Sequence, residues 1–178
     1  MNPLYIRQAS TTDIPRLQAL FAIGRRFMAA TGNPHPWAPD YPSVALLQAD
    51  IDSGDSYVVH RSDDSIVAAF VLRGGIDPTY HDIYEGAWLN DAPYATIHRI
   101  VSSGDEHGIF DFVMRFALQH HDTVRIDTHR DNVIMHHILR KYGFEYCGVI
   151  YLANGDARDA YQLSKLKSES GERKTTCW

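Results

Sequence analysis

Apolar residues recur along the chain with two different periods, and the change from one period to the other marks the predicted elements. A period of two is typical of strands, and a spacing of three or four is typical of helices. Strands are predicted at 4–8, 56–61, 66–73, 95–101, 124–128, 146–152 and 158–163. Helices are predicted at about 13–28, 43–52, 109–117 and 132–142. This order of elements predicts a single α/β domain over residues 1–164.

Five segments interrupt the patterns and are predicted to lack regular structure. Residues 32–42 contain four prolines and form an irregular loop, and residues 74–93 form a connection too long to be idle. Residues 62–65 and 154–156 have the polar composition of tight turns. Residues 165–178 are polar and charged apart from their end, so we expect a disordered tail.

The stretch between residues 124 and 149 carries the most specific signal. Asn132 begins a predicted helix with an apolar face, and Gly143 followed by Phe144 ends it. The order Asn-x-x-Met, then Leu-x-Lys-x-Gly-Phe, closely resembles the last helix and Gly-Phe corner of the GCN5-related N-acetyltransferase (GNAT) superfamily. The order of elements from Ile6 to about Leu163 is similar to that of the superfamily as well.

The resemblance implies a fold, a donor and a reaction. The fold is a central mixed, mostly antiparallel sheet with flanking helices. The donor is acetyl-CoA, and the reaction is direct transfer of the acetyl group to a primary amine, which we expect to belong to a small molecule. Because dimers are common in the superfamily, the resemblance also implies that the chain can form a homodimer.

The resemblance further implies which residues contact the donor. Backbone amides of the strand at residues 99–102 would hold the pantetheine arm and polarise the thioester oxygen. The following glycine loop and helix start would hold the pyrophosphate. The implied donor contacts are Arg99, Ile100, Val101, Ser102, Ser103, Gly104, His107, Gly108, Ile109, Phe110, Asn132 and Lys141.

The pyrophosphate loop departs from the family pattern. That pattern has Arg or Gln, two residues, Gly, one residue, then Gly or Ala, and here these positions fall on Asp105, Gly108 and Phe110. Only the central glycine is kept. A carboxylate beside a pyrophosphate is repelled by it, so we expect Asp105 and Glu106 to point outward.

Two residues are candidates for the base that deprotonates the attacking ammonium. His98 lies on the strand that would hold the thioester, and an imidazole has an ordinary pKa of about 6.5, which suits a base at neutral pH. Glu85 is the competing base. The tyrosine that the family uses as an acid corresponds to Leu139, so Tyr142 is the candidate acid, with a role in the core as its alternative.

Four aromatic residues in the two irregular segments are candidates for the wall of an acceptor pocket. Aromatic rings offer flat apolar surfaces and faces that attract cations. They are Trp37, Tyr41, Tyr84 and Trp88. Asn132 could cap its helix as well as contact the donor.

Composition excludes several classes of protein. A net charge of -5 and a pI near 6.0 argue against nucleic-acid binding. The chain has neither an apolar run of membrane-spanning length nor the pattern of a signal peptide at its start, so we expect a cytoplasmic protein without a membrane partner. Cys147 and Cys177 do not predict a disulfide framework, and Cys147 is expected to be a buried apolar residue.

Two alternatives to an enzyme stay open. The altered loop and the missing tyrosine are compatible with a non-catalytic acyl-CoA sensor. The ten histidines raise a metal-binding protein, although no His-x-x-x-His occurs and the adjacent pairs diverge on their helices. In this alternative, the metal ion would be bound by His129 together with His136 or His137.

Overall fold

A computed structural model describes residues 3–34 and 36–165. Its strands are β1 (Leu4–Gln8), β2 (Ser56–Arg61), β3 (Ile66–Gly74), β4 (Ala95–Ser102), β5 (Thr123–Thr128), β6 (Glu145–Tyr151) and β7 (Ala157–Ser164). Its α-helices are α1 (Ile14–Ala30), α2 (Val44–Asp52), α3 (Ile109–His120) and α4 (Val133–Tyr142), with short 3-10 helices at Thr11–Asp13 and Pro78–Tyr80. The predicted order of elements is confirmed.

The strands form one sheet in the order β1-β2-β3-β4-β5-β7-β6. Every neighbouring pair is antiparallel except β4 and β5, which are parallel. The mixed, mostly antiparallel sheet that the resemblance implied is therefore present. A parallel pair needs a crossover, and α3 supplies it between β4 and β5.

Helices cover both faces of the sheet. The strand period of two sends neighbouring residues to opposite faces, so Val59 packs with α3 and α4 while Val58 packs with α1 and α2. The run from Ile66 to Leu72 is buried along its length, as expected for a central strand covered on both sides. Two layers of core hold the sheet between the helix pairs.

Local sequence signals explain where the helices near the site begin and end. The Ser43 side chain accepts a hydrogen bond from the Leu46 amide at 3.2 Å, and the Asn132 side chain accepts one from the Met135 amide at 3.2 Å. Gly143 ends α4 with a φ of 95°, a conformation that favours glycine. These three boundaries agree with the sequence prediction.

On α1 and α2, large apolar residues are exposed, and on α2 a carboxylate is buried. Val44 is 49% exposed, whereas Asp50, one turn beyond Leu47, is 1% exposed. Phe27 is also exposed, because the last turns of α1 extend past the sheet core. A carboxylate on a buried helix face needs a partner there, and Asp50 has one in the site described below.

The long segment before β4 is ordered by a buried cation. The Arg125 guanidinium on β5 lies between the rings of Trp88 and Tyr94, 3.9 and 3.8 Å from their centroids. It also donates a hydrogen bond to the Asn90 carbonyl at 3.1 Å. Burial lowers the pKa of Arg125 despite the opposing effect of Tyr94. The irregular segment is therefore fixed against the sheet.

Within the described residues, no helix has both the length and the apolar character needed to cross a bilayer. Cys147 is buried, as predicted. The Lys165 amide donates to the Asp122 carbonyl at 2.8 Å, so the first residue of the predicted tail is attached to the domain. The rest of that tail, including Cys177, lies outside the described residues.

Candidate active site

A cleft opens where β4 and β5 separate. The two strands pair at Ala95–Val124 and Thr96–Arg125, and the register goes no further. The later part of β4 therefore has β3 on one side and open space on the side of β5. Strand ends that part in this way offer backbone amides and carbonyls to a ligand.

The cleft holds a cavity of about 420 Å³ with mainly apolar walls. Three parts of the chain form it: the second half of α1 with Trp37, the end of β4 with the loop and start of α3, and the start of α4. The wall residues are Ile23, Gly24, Phe27, Met28, Thr31, Asn33, Trp37, Ile100, Val101, Ser102, Ser103, Gly104, Glu106, His107, Gly108, Ile109, Phe110, Asp131, Asn132, Val133, Ile134, Met135 and Ile138. Gly24 lets α1 approach, since a Cβ there would lie 2.8 Å from Val101 Cγ2.

Most of the predicted donor contacts line this one cavity. The residues from Ile100 to Gly104 and from His107 to Phe110 do so, as does Asn132. The capping and cavity positions of Asn132 are compatible, because its side chain lies at the helix end that faces the cleft. Lys141 is exposed near the other end of α4 and is not among the wall residues.

A bulge in β4 bends the strand at the edge of the cavity. Ala69 pairs with Val101 and Val71 with His98, so Phe70 faces two residues, Arg99 and Ile100. Arg99 has a φ of 52°, which is strained for a residue with a side chain.

A buried ion pair holds the bulge. The Nη2 atom of Arg99 donates to both carboxylate oxygens of Asp50, at 2.6 and 2.7 Å. The Tyr41 hydroxyl lies 3.4 Å from Arg99 Nη1, and the Arg73 guanidinium lies 3.6 Å from Asp50. The Arg99 side chain therefore turns toward α2, and Arg99 is not among the cavity wall residues.

The loop between β4 and α3 is built from backbone geometry. Gly104 and Gly108 have φ values of 86° and 75°, and Gly108 is the residue before the first turn of α3. No side chain caps that turn. The free amides of a helix start form an anion site, and here they are at the cavity wall.

The expectation that the Glu106 side chain projects outward into solvent was wrong, because that side chain is only 20% exposed. Glu106 is one of the wall residues, and its Oε1 accepts a hydrogen bond from Arg61 Nε at 2.7 Å. Arg61 ends β2 and brings its charge to the loop from outside the family motif. The hydrogen bond and charge of Glu106 raise the pKa of Arg61 despite desolvation. The acidic side chain is thus neutralised in place, while Asp105 is exposed as expected.

His98 lies one residue before the bulge, in a cluster of polar side chains that is not part of the cavity wall, since the wall residues of β4 begin at Ile100. Its Nε2 is 2.8 Å from Asp77 Oδ2, and its Nδ1 is 3.9 Å from Asp127 Oδ1. Asp77 belongs to the irregular segment and is 4% exposed. Burial raises the pKa of Asp77, but the hydrogen bonds with His98 and the Thr79 amide outweigh it and hold the pKa at about 2.

Asp127 on β5 is held from two sides. The Tyr80 hydroxyl donates to its Oδ1 at 2.6 Å, and Arg158 Nε lies 3.8 Å from its Oδ2. Burial, and then the charge of Asp127, raise the pKa of Tyr80 well above its ordinary value, so Tyr80 remains a donor. The His98 imidazole therefore lies between two carboxylates whose positions are fixed.

The other candidate catalytic residues lie apart from this cluster. Tyr142 packs edge-on against Phe110, with ring centroids 5.5 Å apart, and is not among the cavity wall residues. Burial, and then the charge of Asp111, raise the pKa of Tyr142. Glu85 is exposed where the backbone of Tyr84 bridges to Val149 at the β6 edge.

The predicted aromatic wall divides into two groups. Trp37 lines the cavity and its ring lies 6.0 Å from that of Tyr41. Tyr84 is exposed and its ring meets Tyr151 at the sheet edge. Trp88 stacks on Tyr80, with ring centroids 5.6 Å apart, and its ring also packs against the Arg125 guanidinium. The structure therefore brings Trp37 and Tyr41 to the bulge and places Tyr84 and Trp88 elsewhere.

Sequence reasoning missed three aspartates. Asp50 follows Leu47 by one helical turn, so its place on the buried face of α2 could have been read from the spacing. Asp77 precedes Pro78 and caps a short helix, but this signal predicts a turn and no contact with His98. Asp127 stands in a strand of buried residues, and a charge in such a strand is itself a signal.

His136 and His129, which belong to the metal site considered above, have partners within the protein. His136 Nδ1 lies 2.8 Å from the Tyr161 hydroxyl, and His129 Nδ1 lies 3.4 Å from Asp131. Over residues 3–34 and 36–165, no three His, Cys, Asp or Glu side chains are grouped so that they could hold a metal ion.

Comparison with solved structures finds proteins of the same fold, one of them at 33% sequence identity. An acetyltransferase of the GNAT family from Streptococcus agalactiae is 33% identical, with 92% of this chain and 96% of that chain covered and a TM-score of 0.75. A GNAT-family acetyltransferase from Listeria monocytogenes is 19% identical, with 90% and 94% covered and a TM-score of 0.68. A polyamine N-acetyltransferase from Drosophila melanogaster is 13% identical, with 91% and 100% covered and a TM-score of 0.59. No protein-family model matches the chain, and no curated protein matches it significantly in sequence.

Proposed function

Because the chain belongs to the GNAT family of N-acetyltransferases, we propose that it transfers the acetyl group of acetyl-CoA directly to the primary amine of a small molecule. The observation that carries the donor is the cleft between β4 and β5, whose cavity joins an apolar groove to a glycine loop at a helix start. A long, thin ligand with an apolar arm and an anionic end fits such a site.

The residues of the cavity fit acetyl-CoA in two ways. The apolar residues at the start of α4 and at the end of α1 would cover the pantetheine arm, with Asn132 at its side. The backbone of the loop and the first turn of α3 would hold the pyrophosphate. When bound, acetyl-CoA supplies the thioester carbonyl that the amine attacks. The neutralised Glu106 makes the loop compatible with an anion despite its unusual sequence.

The proposed acceptor is cationic before it reacts. Asp77 and Asp127 place negative charge around His98, which attracts an ammonium group. His98 takes a proton from that ammonium, and the amine nitrogen keeps the electron pair with which it attacks. The backbone at the bulge would stabilise the developing charge on the thioester oxygen. The Drosophila polyamine N-acetyltransferase, which catalyses the formation of N-acetylagmatine, is an example of an enzyme of this fold that acts on a small amine.

Two measurements test the donor and the reaction. Acetyl-CoA should raise the melting temperature, and pantetheine, which lacks the phosphates, should raise it much less. Release of free thiol should then be measured with small diamines, their N-methylated secondary analogues and a lysine peptide of equal charge. Equal thermal shifts would remove the loop from the site. A donor-dependent shift without thiol release for any amine would indicate a sensor.

The proposed preference within that panel is for small primary amines over their secondary analogues and over the peptide. A secondary amine or the peptide reacting faster would contradict it.

Dimer formation stays a prediction, and sedimentation of the purified chain tests it.

A further inference from the structure

The His98 ring has different partners at its two nitrogens. Nε2 lies at hydrogen-bonding distance, 2.8 Å, from Asp77, while the 3.9 Å between Nδ1 and Asp127 is too long for a hydrogen bond. A neutral imidazole has one protonated nitrogen and one free lone pair, and the partner of each nitrogen decides which is which.

Asp77 is itself rigidly held, so it can fix the ring. Its Oδ1 accepts from the Thr79 amide at 3.0 Å, and its own amide donates to the Tyr94 hydroxyl at 3.2 Å. The remaining oxygen faces His98. A carboxylate only accepts hydrogen bonds, and with a pKa of about 2 Asp77 is ionised throughout the working pH range.

We infer that Asp77 is the positioning residue of the reaction: it keeps the proton of neutral His98 on Nε2, so that Nδ1 is the atom that deprotonates the acceptor. This rests on the proposed role of His98. In this tautomer Nδ1 and Asp127 Oδ1 are both hydrogen-bond acceptors, so an ammonium that approaches beside them would donate to both. The N–H bond of the ammonium breaks, an Nδ1–H bond forms, and the electron pair stays on the amine nitrogen.

The surroundings of His98 favour this assignment over one in which Asp127 orients the ring. Asp127 already accepts the Tyr80 hydroxyl at 2.6 Å and lies near Arg158. Arg99, the next residue of β4, is turned to Asp50. The charges that face the ring are thus Asp77 from the irregular segment and Asp127 from β5. Both stabilise the imidazolium that forms when Nδ1 accepts the proton.

The first test is nitrogen NMR of the imidazole in the wild-type protein. Neutral His98, assigned by its loss in His98→Gln, should show the shifts of a ring protonated at Nε2. A ring protonated at Nδ1 would overturn the inference. This measurement needs no activity and no variant of Asp77.

The second test is Asp77→Asn, with Asp82→Asn as its matched control. The side-chain carbonyl that Asp77→Asn introduces can still cap Thr79, whereas Asp82 is an exposed carboxylate of the same segment that pairs with His81. In Asp77→Asn we expect a mixture of His98 tautomers and at least a tenfold lower kcat, because the carboxylate that fixes the proton on Nε2 is gone. The KM for acetyl-CoA should change less than about twofold, and Asp82→Asn should match the wild type.

The outcomes separate this inference from the proposed function. If kcat and the His98 tautomer are unchanged in Asp77→Asn while His98→Gln is impaired, only the positioning role of Asp77 is overturned. An unimpaired His98→Gln overturns the base as well. The thermal shift by acetyl-CoA reports whether each variant is folded, and the wild-type spectrum decides the inference if Asp77→Asn does not fold.

Discussion

The site proposed above has a donor end and an acceptor end, and the two are built by different means. The donor cavity is made of apolar side chains and of backbone at the end of β4, the glycine loop and the start of α3. The acceptor end is made of ionisable side chains, His98, Asp77 and Asp127, with fixed hydrogen bonds. The bulge at Arg99 joins the two ends.

This difference is compatible with the unusual sequence of the loop in the proposed donor site. A backbone amide does not depend on the side chain that its residue carries, so the loop can keep its shape with Asp105 and Phe110 at the family positions. A side-chain cluster has no such tolerance, because each proton and charge belongs to one residue. We therefore expect substitutions at the acceptor end to change kcat and those at the donor end to change affinity.

The largest effect is expected at His98. His98→Gln removes the base but keeps the β4 backbone, so kcat should fall by about 10²–10⁴, as is typical when a general base is lost, with acetyl-CoA affinity nearly unchanged. The activity lost at low pH in the wild type, as acid protonates His98, should no longer titrate. Steady-state kinetics against pH measures both.

Glu85→Gln is the comparison for that variant. Glu85 is exposed at the β6 edge, so this variant should keep the wild-type pH profile. If Glu85→Gln loses the acid limb and His98→Gln keeps it, Glu85 is the base.

The next effect tests the bulge that joins the two ends. Arg99→Met leaves the carboxylate of Asp50, which is 1% exposed, without its bidentate partner. Breaking a buried pair of this kind should lower the free energy of unfolding by about 3 kcal/mol. Because the bulge relaxes, donor affinity and kcat should fall together. Urea denaturation measures the stability, and titration with CoA measures the affinity.

Arg73→Met is the matched control for the bulge. Arg73 also approaches Asp50, at 3.6 Å, but its side chain is 37% exposed and it pairs with Asp55. Removing an exposed pair should cost about 0–1 kcal/mol. An equal loss in the two variants would show that Arg99 has no special place in the bulge.

A smaller effect tests the loop through Arg61 and Glu106. Arg61→Gln leaves an uncompensated carboxylate in the cavity wall, so the affinity for CoA should fall about tenfold at low salt. Glu106→Gln removes that charge and should not weaken binding. The double variant should match Glu106→Gln, which is the sign of a coupled pair.

Pantetheine is the control ligand, because it lacks the phosphates that a loop carboxylate would repel. Calorimetric titration should therefore find its affinity unchanged in Arg61→Gln. A loss in Arg61→Gln that persists in full after Glu106→Gln would contradict the coupling and give Arg61 a direct contact with the phosphates.

The sequence predicted local features well and long-range partners poorly. The Asn132 cap and the Gly143 stop depend on neighbouring residues, and each was found where predicted. The Asp77–His98 and Arg61–Glu106 contacts join residues 21 and 45 positions apart. Composition does not encode which loop residue reaches which strand, so Asp77 stayed unnoticed and Glu106 was assigned to solvent.

The smallest effect is expected at Tyr142. A tyrosine that protonates the leaving thiolate must reach the cavity, but Tyr142 packs on Phe110 and Phe144 and is not among the wall residues. Tyr142→Phe keeps the ring and removes only the hydroxyl, so kcat should change less than about twofold. The dependence of activity on high pH is a further test. If Tyr142 is the acid, activity should fall at high pH as its phenol ionises, and the pKa of that phenol is raised. A tenfold loss of kcat together with loss of that alkaline limb in Tyr142→Phe would make Tyr142 the acid and extend the side-chain machinery to the donor end. Without that result, water is the proton source for the thiolate, and the chemistry of the side chains stays at the acceptor end.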